Sequence, residues 1–177
     1  GLRIVSLDGT CLDVADTPAN AAAFGRPGSH RRSGGGAFPQ LRLVGLCEAG
    51  THALVGAALG AYCTSERALA MEIVQGLTAG MVCLADRGFY GFDRFRAAAE
   101  TGAELLWRAP ERSHLPPEQV LPDGSYLSTH KPARRAGHAR HPGLPVRVIE
   151  YRLDAEAAGV TYRLVTTLLD PEQAPAS

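Results

Sequence analysis

Apolar positions along this chain fall into short runs separated by glycine- and proline-rich breaks. Leu2 to Leu7 is apolar except at Arg3 and Ser6 and stops at Asp8-Gly9, the pattern of a buried strand that ends in a sharp turn. Asp8 is therefore expected at a strand's carboxyl end. Thr10 to Gly36 reads as loop, with Thr17-Pro18 and a glycine- and arginine-rich tract from Gly25 to Gly36. Leu41 to Cys47 and His52 to Leu59 flank Glu48-Ala49-Gly50-Thr51 and predict a β-hairpin beside the first strand. Thr64 or Ser65 caps a helix running to about Leu77: Glu66 lies in its first turn, Leu69, Ile73 and Leu77 repeat at helical spacing, and Gly80 closes it. Met81 to Ala85 is a further buried run, followed by Asp86 and a turn at Gly88. A helix from about Phe92 to Thr101, ended by Gly102, leads to a strand at Glu104 to Arg108.

The character changes at Pro110. Pro116, Pro117, Pro122, Pro132 and Pro142 interrupt any long helix before Leu144, and strand patterns resume at Val146 to Leu153 and Val160 to Leu169. The expected organisation is a core over residues 1–109, a β-rich and turn-rich insertion over 110–159, and a return strand of the core over 160–177. Strands mixed with helices in this order predict an α/β fold with one mixed sheet and flanking helices.

With 177 residues, 45% of them hydrophobic and 20% charged, the chain has the make-up of one globular domain. Its 18 basic and 18 acidic side chains cancel, so any attraction to phosphate must come from local clusters. Two exist: Arg26, His30, Arg31 and Arg32, and Lys131, Arg134, Arg135, His138, Arg140 and His141. The four cysteines include no Cys-x-x-Cys pair, which excludes a zinc knuckle and favours a reduced compartment. No apolar run reaches the ~18 residues of a membrane span, and no leader pattern opens the chain. Gly1 enters a strand pattern at once, and Ala174 to Ser177 directly follows another; both ends read as cut.

Asp8 and Asp86 each follow an apolar strand and precede a glycine-containing turn. If those strands are neighbours, their carboxyl ends converge, and two hard carboxylates there suit Mg²⁺. A site holding two such metal ions can clamp the attacking and leaving oxygens of a phosphodiester. The plainer alternative is that each aspartate only forms a turn. A second alternative rests on Asp8-Gly9-Thr10 after a strand, which resembles the first motif of haloacid-dehalogenase-type phosphatases. That chemistry needs a nucleophilic aspartate two positions earlier, where Ser6 stands.

A wider set of strings resembles the insertion-sequence-four class of DDE transposases. They are Leu7-Asp8-Gly9-Thr10-Cys11-Leu12-Asp13 with Asp16-Thr17-Pro18-Ala19-Asn20, Phe38-Pro39-Gln40-Leu41-Arg42, Leu84-Ala85-Asp86-Arg87-Gly88-Phe89-Tyr90-Gly91-Phe92, Leu105-Leu106-Trp107-Arg108, Leu121-Pro122-Asp123-Gly124-Ser125-Tyr126-Leu127 and Thr166-Thr167-Leu168-Leu169-Asp170. The resemblance implies an RNase H-like fold with a β-rich insertion, and DNA transposition by metal-dependent phosphodiester hydrolysis and strand transfer. It implies Asp8 and Asp86 as catalytic metal ligands, with Mg²⁺ as cofactor and Mn²⁺ as a substitute. It also implies a third acid, on a helix with a Tyr-x-x-Arg-x-x-x-Glu signature that this sequence lacks and that is expected past Ser177. Two aspartates neutralise half the charge of two divalent ions, so the chain by itself is expected to be incomplete.

The partner implied is DNA, both transposon ends and target, bound in a bacterial cytoplasm at the nucleoid, with a second copy of the chain as a possible companion. Arg26, Arg31, Arg32, Arg87, Lys131, Arg134, Arg135 and Arg140 are the candidate phosphate contacts. Arg87 has an alternative as an ion-pair partner of Asp86 or of a surface glutamate. A non-catalytic DNA-binding remnant is the alternative for the whole chain. Trp107, Phe89, Tyr90, Phe92 and Phe95 read as core rather than a base-stacking set. Asp13 and Asp16 read as turn or cap residues, His138 and His141 as exposed histidines, and Glu172 as a loop residue matching no family position.

Overall fold

The structure is a computed structural model that describes residues 1–27, 38–133, 141–152 and 161–176. Its strands are β1 (Arg3–Asp13), β2 (Gln40–Glu48), β3 (Leu54–Ala61), β4 (Met81–Ala85), β5 (Glu104–Ala109), β6 (Gln119–Val120), β7 (Tyr126–His130), β8 (Leu144–Tyr151) and β9 (Tyr162–Thr166). They form one mixed sheet in the order β3-β2-β1-β4-β5-β9-β8-β7-β6. The central neighbours β1, β4 and β5 run parallel, and the other pairings are antiparallel. The helices are α1 (Pro18–Phe24), α2 (Glu66–Ile73), which continues as a 3-10 turn over Val74–Gly76, and α3 (Phe92–Ala99).

Strand periodicity explains which face is buried. Val5 and Leu7 of β1 are buried while Ile4 and Leu12, of opposite parity, stand 46% and 45% exposed. Helices α2 and α3 cover the buried face: Leu69, Ala70 and Ile73 of α2 and Phe95 and Ala98 of α3 join Val44, Leu46, Leu105 and Trp107 in one core. Phe95 meets Trp107 edge to face at 5.3 Å between ring centroids. Ser65 caps α2 by accepting from the Ala68 amide at 3.2 Å. Among the described residues no helix is long and apolar enough to cross a membrane.

Two local expectations are corrected. First, β1 does not stop at Asp8: Gly9 to Asp13 continue pairing with Val44 to Gln40 of β2, so the hairpin ladder projects beyond the end of β4. Backbone bonds to β2 sustain this extension without burial, and hydrophobic periodicity cannot register an exposed ladder. Gly9 therefore marks a close approach rather than a turn. A Cβ there would lie 3.1 Å from Cδ of Glu66 on α2. Second, the loop-like stretch contains α1, capped by Thr17, whose Oγ1 accepts from the Asn20 amide, with Pro18 in its first turn. None of its residues is buried, so it carries no amphipathic signature.

The strands between residues 119 and 151 extend the same sheet through β9. On β8, Arg147 is fully buried, and its guanidinium holds down the segment that follows β9. Nε donates to Ser125 Oγ at 2.7 Å, Nη1 donates to the Ala174 carbonyl at 2.6 Å, and Nη2 pairs with Asp123.

Candidate active site

Three buried residues in mutual register set the site. Leu7 on β1 is the Cα partner of Ala85 on β4, and Ala85 is the partner of Trp107 on β5. All three face the helices, at 2%, 8% and 0% exposure. The next residue on each strand, Asp8, Asp86 and Arg108, falls on the opposite side, so two carboxylates and a guanidinium follow one another across three parallel strands. Asp8 is exposed, the Asp86 side chain is 60% exposed, and Arg108 Nη1 lies 3.5 Å from Asp86 Oδ1. The Arg108 guanidinium sits over the Tyr162 ring at 4.5 Å, and Tyr162 stacks on Tyr151 at 5.3 Å. Oδ1 of Asp8 accepts from the Gly9 amide at 2.8 Å.

The loop after Asp86 is fastened from both helices. The Phe89 amide donates to the Asp86 carbonyl and the Tyr90 amide to the Arg87 carbonyl, closing the turn. Arg67 of α2 donates to the Gly88 carbonyl at 3.1 Å, and Arg94 of α3 donates to the carbonyls of Phe89 and Tyr90 at 2.6 and 2.8 Å. Further out, Tyr90, Phe92 and Phe95 surround His130 of β7 with ring centroids 5.0 to 5.5 Å away. Burial pushes the His130 imidazole down to about 4 and the Tyr90 phenol up to about 12.

Asp8 and Asp86 offer hard oxygen ligands on an open sheet edge, the donor chemistry that suits Mg²⁺ or Mn²⁺, and Arg108 already balances one of them with positive charge. Among the described residues no group of three or more His, Cys, Asp or Glu side chains is placed to hold a metal ion. Asp13 instead accepts from Gln40 Nε2 at 2.7 Å, and Asp16 pairs with Arg26. Glu172 is exposed in a turn whose amide donates to Asp170 Oδ1. Ser6 donates to the Cys47 carbonyl at 3.4 Å, where phosphatase chemistry would require a carboxylate.

The candidate phosphate contacts divide. Arg87 and Lys131 are exposed, while Arg26 is engaged with Asp16. Arg31, Arg32, Arg134, Arg135 and Arg140, with His30 and His138, lie outside the described residues. His141 packs against Phe92 at 4.9 Å and its Nδ1 accepts from the Gly143 amide, so it is less open than its sequence context indicates. The ion-pair partner of Asp86 is Arg108 rather than its chain neighbour Arg87. Sequence reasoning quoted Arg108 within a motif but assigned it no role. The alternation that buries Leu105 and Trp107 was the available signal, because it turns Arg108 to the carboxylate side.

Comparison with known proteins agrees with this architecture. The family model described as "Transposase DDE domain" matches residues 1–174. "Transposase InsG for insertion sequence element IS4" of Escherichia coli (strain K12) is 28% identical over 177 residues, covering 99% of this chain and 39% of that protein. "Putative transposase InsZ" of the same strain is 26% identical over 120 residues, covering 68% of this chain and 40% of that protein. The chain thus spans about two fifths of the length of these relatives. In fold, it superposes on piggyBac transposase, solved by cryo-EM as a synaptic complex with hairpin DNA, with a TM-score of 0.51 at 10% identity over 95% of this chain and 34% of that one. That likeness agrees with an RNase H-like mixed sheet, and with the model match over nearly its whole length, the chain belongs to the DDE transposase-domain family.

Proposed function

We propose that this domain supplies the first two metal-binding carboxylates of a DNA transposition centre, Asp8 and Asp86, within a polynucleotidyl transferase. The observation that carries the reading is the register Leu7–Ala85 between neighbouring parallel strands, in which Asp8 follows Leu7 on β1 and Asp86 follows Ala85 at the end of β4. The reaction is hydrolytic nicking at an element end, followed by attack of the freed 3′-hydroxyl on a target phosphodiester. Both steps are in-line displacements that form one P–O bond and break another, with no covalent protein intermediate. A divalent cation, Mg²⁺ or Mn²⁺, supplies charge neutralisation and activation of the attacking oxygen when bound. Asp8 and Asp86 would hold it through oxygen ligands, and both carboxylates are exposed. Arg87 and Lys131, with Arg26, Arg31, Arg32, Arg134, Arg135 and Arg140, contact the DNA backbone in this reading, which places the protein with a second copy at the nucleoid in the bacterial cytoplasm.

The test is nicking and strand transfer of a supercoiled plasmid carrying element ends, with Mg²⁺ or Mn²⁺, for this chain and for one extended beyond Ser177. Activity of the extended chain should fall at least 100-fold in Asp8→Ala and in Asp86→Ala. Cleavage that survives both substitutions would remove the assignment. Salt-dependent DNA binding without cleavage in either chain would mark a binding module instead.

A further inference from the structure

Arg108 is placed as a ligand for the negative charge of the substrate. It stands one strand beyond Asp86 in the row that begins with Asp8, on the same side of the sheet. Its contact with Asp86 is a single 3.5 Å approach between side chains that are 35% and 60% exposed, geometry that adds little stability. Among the described residues its guanidinium donates no hydrogen bond, so the five N–H donors of the fork are unspent. The other arginines of this part of the sheet are used up structurally. Arg147 is buried on Asp123, Ser125 and Ala174, and Arg163 is tied to Glu150 and to the carbonyls of Glu111 and Ser113. What restrains Arg108 is the face of Tyr162, which limits the guanidinium's motion without consuming a donor.

We propose that Arg108 binds the phosphodiester that is presented to Asp8 and Asp86, with Tyr162 positioning its guanidinium and Asp86 serving as its resting counter-ion. This rests on the reading of Asp8 and Asp86 as the metal-binding pair. The chemistry is complementary: a planar fork matches two phosphate oxygens at once, and the negative charge of a reacting phosphoryl group is stabilised by cations fixed beside it. A single carboxylate oxygen can satisfy either Arg108 or a divalent ion. A metal ion bound through Oδ1 of Asp86 would therefore release the guanidinium at the point where a phosphate needs it.

The experiment compares the chain with Arg108→Gln, Arg108→Lys and Tyr162→Leu, measuring affinity for a DNA duplex across a salt series with and without Mn²⁺, Mn²⁺ affinity by calorimetry, and Tm. Arg108→Gln should weaken duplex binding about tenfold and lower the salt slope by about one phosphate contact. It should leave Mn²⁺ affinity unchanged or tighter, since a competing cation is gone, and leave Tm within a few degrees. Arg108→Lys should recover the salt slope but not the full affinity, and Tyr162→Leu should lower affinity with the slope intact. Unchanged duplex binding with weakened Mn²⁺ affinity in Arg108→Gln would overturn the proposal, because Arg108 would then only organise Asp86. Failure of the underlying metal reading registers separately, as Mn²⁺ affinity insensitive to Asp8→Ala and Asp86→Ala.

Discussion

The Tyr90 hydroxyl lies 3.3 Å from Nδ1 of His130, and Nε2 of the same imidazole is buried with no hydrogen-bond partner among the described residues. This ring joins β7 to the loop that leaves Asp86, and burial holds its native value at about 4. The unfolded chain binds a proton near 6.5 and the folded chain does not until about 4, so stability is complete above 6.5 and declines as pH falls between those values. The loss amounts to at most about 3 kcal/mol. Urea unfolding of the wild type and His130→Phe at pH 7 and at pH 4.5 checks it. The wild type should lose ground against the variant at the lower pH, and a constant difference would refute the assignment.

Arg147 on β8 and Asp123, just before β7, form a second junction on the same strand pair that carries His130. Substituting Arg147→Ala strips a buried cation from Asp123 and Ser125 and from two carbonyls beyond β9, and should lower Tm by about 10 °C. The same variant should make residues 170–176 more susceptible to carboxypeptidase than they are in the wild type. The Ser125 hydroxyl, the amides of Ser125 and Ala176 and the Arg147 guanidinium hold the Asp123 carboxyl below its ordinary value. Its stabilisation is therefore present above the unfolded value near 4 and is lost as pH falls below it toward the native value. Asp123→Asn should flatten that acid limb in thermal melts.

The middle of the sheet was legible because burial there produces apolar runs. Met81 to Ala85 and the alternation through Leu105 and Trp107 identify β4 and β5, and the end of β4 fixes Asp86. Asp8 was legible as a residue but not in its setting, since β1 continues through Thr10 and Asp13 on backbone pairing alone. The partnership of Asp86 with Arg108 was legible only in part, because alternation along β5 gives the side on which Arg108 lies but not the residue it meets. It depends on which residues of β4 and β5 stand opposite, a register that local pattern specifies only after the strands have paired. Chain proximity favoured Arg87, which projects from the turn instead.

Cys83 reports on that register. It is the Cα partner of Val5 on one side and of Leu105 on the other, and burial pushes its thiol up to about 11. Cys63 is exposed. At pH 8 about a thousandth of Cys83 is thiolate, so alkylation should modify Cys63 first and leave Cys83 at least 100-fold slower until the sheet opens. Labelling followed by peptide mass spectrometry reads both rates. Equal rates would mean that the β1–β4–β5 core is open in solution.

Asp86→Asn separates function from stability at the site itself. The carboxylate is mostly exposed and its contact with Arg108 is long, so losing its charge should move Tm by no more than about 3 °C. Loss of an anionic ligand from a hard-cation site should weaken Mn²⁺ binding at least tenfold. Asp8→Asn should behave alike in metal affinity and leave Tm unchanged, because Asp8 makes no ion pair among the described residues and its Oδ1 bond to the Gly9 amide can be kept by an amide oxygen. Calorimetric titration of Mn²⁺ beside thermal melts of the two variants provides the check. A large fall in Tm with metal affinity preserved would show that the carboxylates serve the fold, and the row of Asp8, Asp86 and Arg108 would then be structural.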